Sequence, residues 1–160
     1  MHYCFIVNNE PGKAGNADKI RADIEKLPEP IDFEIYLTTA QKTAIDHVRD
    51  YCKANPDQET CFVACGGDGT INEVATGMVG AKNKHLAVLA YGSGNDFIKY
   101  YPEKDFLNIE QLVKGTPHKI DILKVGLDHY SINVCNFGFD SIVASTANKL
   151  SRKGNKNPYR

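Results

Sequence analysis

Apolar and polar positions along the chain alternate between a strand period and a helix period. Tyr3–Val7 is a continuous apolar run and predicts a buried strand, and Asn8–Gly15 is rich in turn residues. Ala17, Ile20, Ile24 and Leu27 recur at helical spacing behind Asn16, which suits an N-cap, and Pro28 and Pro30 stop that helix. Phe33–Leu37 alternates as a strand. Ile45, Val48 and Cys52 give the next helical face, which ends before Pro56. A strand over 60–65, a helix over 70–79 and a strand over 86–90 complete the order βαβαβαβ. Such alternation with short connections predicts a parallel sheet covered by helices, joined by right-handed crossovers.

Beyond Pro102 the pattern changes. A short helix is expected around Phe106–Lys114. Two extended runs, 117–125 and 129–137, are joined by Gly126-Leu127-Asp128 and predict a hairpin. Ile142, Val143, Ala147 and Leu150 predict a last helix. Ser151–Arg160 is polar and reads as a mobile tail.

Two segments carry candidate chemistry. Cys61–Cys65 empties directly into Gly66-Gly67-Asp68-Gly69-Thr70-Ile71-Asn72-Glu73-Val74. Glycines at a strand–helix turn let backbone N–H groups approach a ligand, and the helix N-terminus favours phosphate. Asp68 would repel that phosphate, so it needs a purpose: metal handling, or proton abstraction from an attacking hydroxyl. The bland alternative is a tight connection, with Thr70 and Glu73 forming a capping box. A second run, Leu86–Ala90, ends in Tyr91-Gly92-Ser93-Gly94-Asn95-Asp96-Phe97. In a parallel sheet both turns fall on the edge beyond the carboxyl ends of the strands, where open α/β sheets bind ligands.

Together these two turns resemble the catalytic domain of the diacylglycerol kinase family, whose relatives include sphingosine and ceramide kinases. Supporting stretches are Val7–Gly15, Lys119–Val125 and Asn133–Asp140. Asn9, Pro11 and Tyr91 depart from the family's usual residues. The resemblance implies an α/β, three-layer Rossmann-like domain with a mainly parallel sheet, as in the N-terminal domain of NAD and diacylglycerol kinases. Residues 1–150 would be the nucleotide-binding domain. Residues 151–160 would lead to a C-terminal β-rich domain that is not part of this sequence, as in a truncated piece or a proteolytic fragment.

The implied reaction is transfer of the ATP γ-phosphoryl group to a lipid hydroxyl, diacylglycerol being the simplest acceptor, with Mg2+ screening the phosphates. By resemblance, Asp68 activates the acceptor hydroxyl, directly or through metal and water. Gly66, Gly67, Gly69 and Thr70 line the nucleotide phosphates, and Gly92, Ser93, Gly94 and Asn95 approach from the next strand. Asn8, Gly12 and Lys13 form a third side, with Thr38 and Thr39 on the same edge. Glu73 and Asp96 are explained as well by capping as by nucleotide contact. Asp121 sits on the family's mid-chain strand near the lipid head group; on a strand it shares a face with Leu123 and Val125, where an acid needs a partner or a purpose. No residue is assigned as a metal ligand. An NAD kinase-like enzyme and a non-catalytic nucleotide-binding module are the alternatives. A Rossmann dehydrogenase is disfavoured because neither turn reads Gly-x-Gly-x-x-Gly.

Composition narrows the classes further. The chain has 160 residues, enough for one domain, with 42% hydrophobic and 24% charged residues. A formal net charge of -1 gives no general attraction to nucleic acid or anionic membrane. Contact with a membrane surface would be transient and made by the full-length enzyme, and a homodimer is a further expectation. No secretory or membrane-spanning stretch stands out, so a cytoplasmic location is expected. The five cysteines (4, 52, 61, 65 and 135) read as free thiols, four of them in strand-like runs. The histidines at 2, 47, 85, 118 and 129 are scattered, and no spacing suggests zinc.

Overall fold

The computed structural model describes residues 1–8, 16–39, 43–135 and 138–152. Its centre is a parallel sheet of β1 (His2–Asn8), β2 (Asp32–Thr38), β3 (Thr60–Gly66) and β4 (Lys84–Ala90), in the order β2-β1-β3-β4. The connecting helices are α1 (Asn16–Ile24), α2 (Thr43–Ala54) and α3 (Asp68–Met78). The expected βαβαβαβ order and parallel pairing are both present.

The central strands are apolar throughout because both their faces are covered. Tyr3, Phe5 and Val7 of β1 and Cys61, Val63 and Cys65 of β3 point to one side, where they meet Ile20 and Ile24 of α1. The intervening Cys4, Ile6, Phe62 and Ala64 point to the other side, against Ala44, Val48 and Cys52 of α2 and Ile71 and Val74 of α3. The chain steps one way from β1 to β2 and the other way from β2 to β3. Helices therefore fall on opposite faces, as crossovers of a single hand require. Gly77 lets α3 approach α2 closely: a Cβ there would meet Val48 and the Ile45 carbonyl.

Several element boundaries differ from the sequence pattern. Helix α1 stops at Ile24, before Leu27, and the Leu27 N–H closes a turn on the Ile24 carbonyl. The approach to Pro28 disfavours helical backbone, yet Leu27 still packs on the core. The later helix, α4, covers only Ile109–Val113, because Asn108 caps it by accepting the Gln111 N–H. The hairpin shrinks to β5 (Leu123–Val125) and β6 (His129–Ser131), turning at Gly126 with φ +68. Residues 117–122 alternate like a strand but are exposed among the described residues; Ile120 is 45% exposed. Cys135 accordingly lies outside any strand. The expected last helix, α5, runs Phe139–Arg152, so it takes in Ser151 and Arg152, which the sequence pattern assigns to the polar tail; Ile142 and Val143 are exposed.

Candidate functional site

All four parallel strands end on one edge. Asn8 of β1 stands opposite Thr38 of β2, and Gly66 of β3 stands opposite Ala90 of β4. Val7 pairs with Cys65, so Asn8 is level with Gly66. The strand order reverses direction between β1 and β3. This is the topological switch point, where two loops diverge and leave a crevice. Thr39 follows on this edge and is exposed. Gly12 and Lys13 lie outside the described residues.

The first glycine turn is abrupt. Gly66 is the last strand residue, Gly67 is the N-cap in extended conformation (φ -98, ψ -169), and α3 begins at Asp68. The expected capping box does not form. Ile71 N–H already bonds the Gly67 carbonyl, so Thr70 lies inside the first turn instead of capping it. Thr70 is buried and folds back onto Gly66, occupying the space that a Cβ at Gly66 would need. The backbone N–H groups of Asp68, Gly69 and Thr70 have no carbonyl partner within the helix and point toward the crevice end of α3. Gly69 is exposed, and Glu73 is half-buried one turn further on.

The second turn is locked onto the first. Tyr91 N–H bonds the Gly66 carbonyl at 3.1 Å, extending the β3–β4 pairing by one rung. Gly92 then crosses Gly67 so closely that a Cβ on Gly92 would collide with the Gly67 backbone. Asn95 takes a left-handed conformation (φ 50), and its Nδ2 donates to the Gly92 carbonyl at 2.8 Å. Both oxygens of Asp68 are engaged from the second turn: Oδ2 accepts Asp96 N–H at 3.0 Å and Oδ1 accepts Phe97 N–H at 2.9 Å. These N–H groups open a short 3-10 helix, Phe97–Tyr100, whose dipole favours the carboxylate. Phe97 packs into the α2–α3 side of the core and anchors the turn. Asp96 forms an ion pair with Lys99, which the neighbouring carboxylate holds above the usual lysine range. Ser93 and Gly94 remain exposed.

Asp68 thus fastens the neighbouring turn and not its own. A carboxylate offers about four lone-pair directions, so two remain for a cation or a substrate hydroxyl. Gly67 and Gly92 serve close backbone approach to each other, and none of the glycines of the two turns has a positive φ.

Asp121 stands apart from this unit in local structure. It is exposed and lies two residues before β5, so it shares no strand face with Leu123 and Val125. The element that follows it is nevertheless tied to α3. Asn72 donates through Nδ2 to the Tyr130 carbonyl at 3.2 Å and accepts Ile132 N–H through Oδ1 at 3.0 Å. The pattern of the glycine segment gave no hint of this brace, because its partners lie 58 and 60 residues away. Lys99 carries no sequence signal for a simpler reason: one lysine after a Phe-Ile pair makes no motif.

Known proteins bear on the family and the fold. The family model for the diacylglycerol kinase catalytic domain matches residues 2–125. A Yersinia pestis protein named "Probable lipid kinase YegS-like" is 38% identical over 156 residues, covering 93% of this chain and 51% of that protein. A protein of the same name from Serratia proteamaculans is 32% identical, covering 91% of this chain and 48% of its own length. The chain therefore spans about half the length of the curated relatives it matches. A crystal structure of a diacylglycerol kinase from Bacillus anthracis superposes with a TM-score of 0.61 at 21% identity, covering 94% of this chain and 53% of that one, which bears on the fold. No helix among the described residues is long and apolar enough to cross a membrane. With the family model matching from the first strand through β5, the chain belongs to the diacylglycerol kinase catalytic domain family.

Proposed function

We propose that this chain is the nucleotide-binding part of a lipid kinase that transfers the γ-phosphoryl group of ATP to a lipid hydroxyl, diacylglycerol being the simplest acceptor. The observation that carries this reading is the fusion of two glycine turns by Asp68 at the strand-order reversal. That arrangement offers a helix N-terminus and its backbone N–H groups to the nucleotide phosphates beside one carboxylate able to take a proton.

In this reading Gly67, Gly69 and Thr70 present backbone N–H groups to the phosphates. Gly92, Ser93, Gly94 and Asn95 form the opposing wall. Asn8, Thr38 and Thr39 flank it on the β1–β2 side, with Gly12 and Lys13 in the intervening loop. Mg2+ bound with ATP would neutralise charge on the transferring group. The acceptor oxygen bonds to the γ-phosphorus, the bond to the β–γ bridging oxygen breaks, and ADP leaves. The acceptor's proton passes to Asp68 and then to solvent. Asp121 is assigned to the lipid side, with residues 1–150 as the nucleotide-binding domain. The lipid would be met transiently at a membrane surface by the full-length enzyme.

The test uses the full reading frame that carries this chain, with Mg2+, radiolabelled ATP and mixed vesicles of candidate lipids. Labelled phosphatidic acid from diacylglycerol is the expected product. Label appearing only in NADP when NAD is supplied would assign the chain to the NAD kinase branch. Nucleotide binding with no transfer to any acceptor would assign a non-catalytic role.

A further inference from the structure

Away from the glycine edge, three side chains of metal-ligating type converge. Cys4 lies on β1, Glu34 is its direct neighbour on β2, and His47 lies on α2. One ligand atom from each falls within 4.8 Å of the others. Cys4 Sγ is 3.1 Å from Glu34 Oε1 and 3.9 Å from His47 Nε2. The sequence gives no sign of this, since 30 and 43 residues separate the partners from Cys4.

We propose that Cys4, Glu34 and His47 form a binding site for a zinc-type divalent cation that staples the edge strand β2 to β1 and α2. The geometry supports it. Tetrahedral zinc, with bonds of about 2.3 Å to sulfur and about 2.0–2.1 Å to oxygen or nitrogen, holds sulfur about 3.5 Å from each of the other ligands. The two observed separations bracket that value from below and above. The donor set of thiolate, carboxylate and imidazole suits zinc better than magnesium or calcium, which prefer oxygen alone.

The supporting surroundings are also present. The His47 ring stacks on Tyr36 with centroids 3.6 Å apart and planes 7° apart, which fixes its direction toward Cys4. Cys4 is fully buried, while Glu34 and His47 are partly exposed, so an ion has an approach from the edge of the sheet. Without a metal, the Cys4 thiol donates to Glu34. Binding replaces that proton with the cation and releases it to solvent, and a fourth position is left for water. Cys4 precedes Asn8 by four residues, about 13 Å along the strand, so the site is separate from the glycine edge and independent of the reaction proposed for it.

The test is titration of the metal-free chain with cobalt(II), whose thiolate bond produces a near-ultraviolet charge-transfer band, followed by displacement with zinc. One equivalent of cobalt should develop the band, and zinc should abolish it and raise the melting temperature. Glu34→Gln keeps an acceptor for the thiol, and His47→Phe keeps the stack on Tyr36, so both variants should fold. Each should bind cobalt at least tenfold more weakly. Cys4→Ser should lose the band, and Cys135→Ser should keep it. Absence of a thiolate band in the native chain would overturn the proposal. So would a band that survives in Cys4→Ser, or one of equal affinity in Glu34→Gln and His47→Phe.

Discussion

Asp68 holds Phe97 in place: its Oδ1 accepts the Phe97 N–H at 2.9 Å, while Oδ2 takes the adjacent Asp96 N–H at 3.0 Å. A residue proposed to handle the acceptor proton is therefore also the clasp between the two glycine turns. Phe97 completes the link by packing into the core.

This double role changes what Asp68→Asn should do. A charge-removing substitution would be expected to spare the fold if the carboxylate served only chemistry. The amide instead places its NH2 group against one of two N–H donors and loses a charge-assisted bond. Stability should fall by about 1–2 kcal/mol, with the partial exposure of these bonds keeping the loss near the low end for charged hydrogen bonds. Turnover of the full-length enzyme should fall by roughly two orders of magnitude or more. Urea unfolding of the chain checks the first value and a lipid kinase assay the second. Unchanged stability would show that the clasp is dispensable; unchanged turnover at saturating ATP would remove Asp68 from the chemistry.

The glycines should divide sharply. At Gly92 a Cβ would strike the Gly67 backbone, which has nowhere to move without breaking the β3–β4 edge. Gly92→Ala should cost about 1–3 kcal/mol, the range for forcing atoms into a packed site. Gly69 has open space around its Cβ and sits in the first turn of α3. Gly69→Ala should be neutral or stabilise by up to about 1 kcal/mol. If the phosphates approach Gly69, the same variant should bind Mg-ATP more weakly in calorimetry with the full-length protein. Equal affinity would move the phosphates away from that helix end.

Asn72 offers a cleaner mechanical test. Asn72→Ala removes the Asn72 bonds to the Tyr130 carbonyl of β6 and to the Ile132 N–H just beyond it, and leaves both groups without that partner. A loss of about 1–3 kcal/mol is expected. Amide exchange at Ile132 should accelerate, while amides of β1 and β3 keep their protection relative to global unfolding. Exchange at Ile132 no faster than in the native chain would show that the hairpin is held by other contacts.

Tyr91 gives a prediction in pH. Burial, then the neighbouring Cys65 and Asp23, push its phenol up to about 12 from an ordinary 10.0. The folded chain thus favours the protonated phenol. Its contribution to stability is complete below pH 10 and disappears as pH climbs from 10 toward 12. Tyr91→Phe cannot ionise and should lose stability less steeply across that window. Parallel slopes for the two proteins, from urea midpoints across the alkaline range, would mean that Tyr91 ionises as freely folded as unfolded.

The parallel sheet was legible because Phe5, Val63 and their neighbours are apolar at consecutive positions, the mark of strands covered on both faces. The glycine turns were legible because Gly66-Gly67 and Gly92 follow directly on such runs. What local pattern does not carry is contact across long separations. Asp68 to Phe97, Asn72 to Ile132 and Cys4 to His47 are each set by topology. Asp121 illustrates the opposite error. Its alternation with Leu123 and Val125 is real in the sequence, but alternation makes a strand only where another strand is there to pair, and pairing starts at Leu123.

The isolated 160-residue chain should fold yet fail to phosphorylate lipid. Phosphoryl transfer requires both substrates in line within a site shielded from water. The glycine turns line only the nucleotide side of that site, and Ser93, Gly94 and Asp96 are exposed there. The chain spans about half of its curated relatives. Apolar side chains meanwhile face outward in its later part: Leu127 is 85% exposed, Ile142 64% and Val134 62%. Exposed apolar side chains favour association, so self-association through this region is expected at high concentration. Sedimentation should show concentration-dependent dimers that Ile142→Lys and Leu127→Lys weaken. Radiolabelled ATP with diacylglycerol vesicles should give no turnover above background. Sustained turnover by the purified chain would mean that these residues alone complete the catalytic site, and that the reading of residues 1–150 as the nucleotide-binding part alone is wrong.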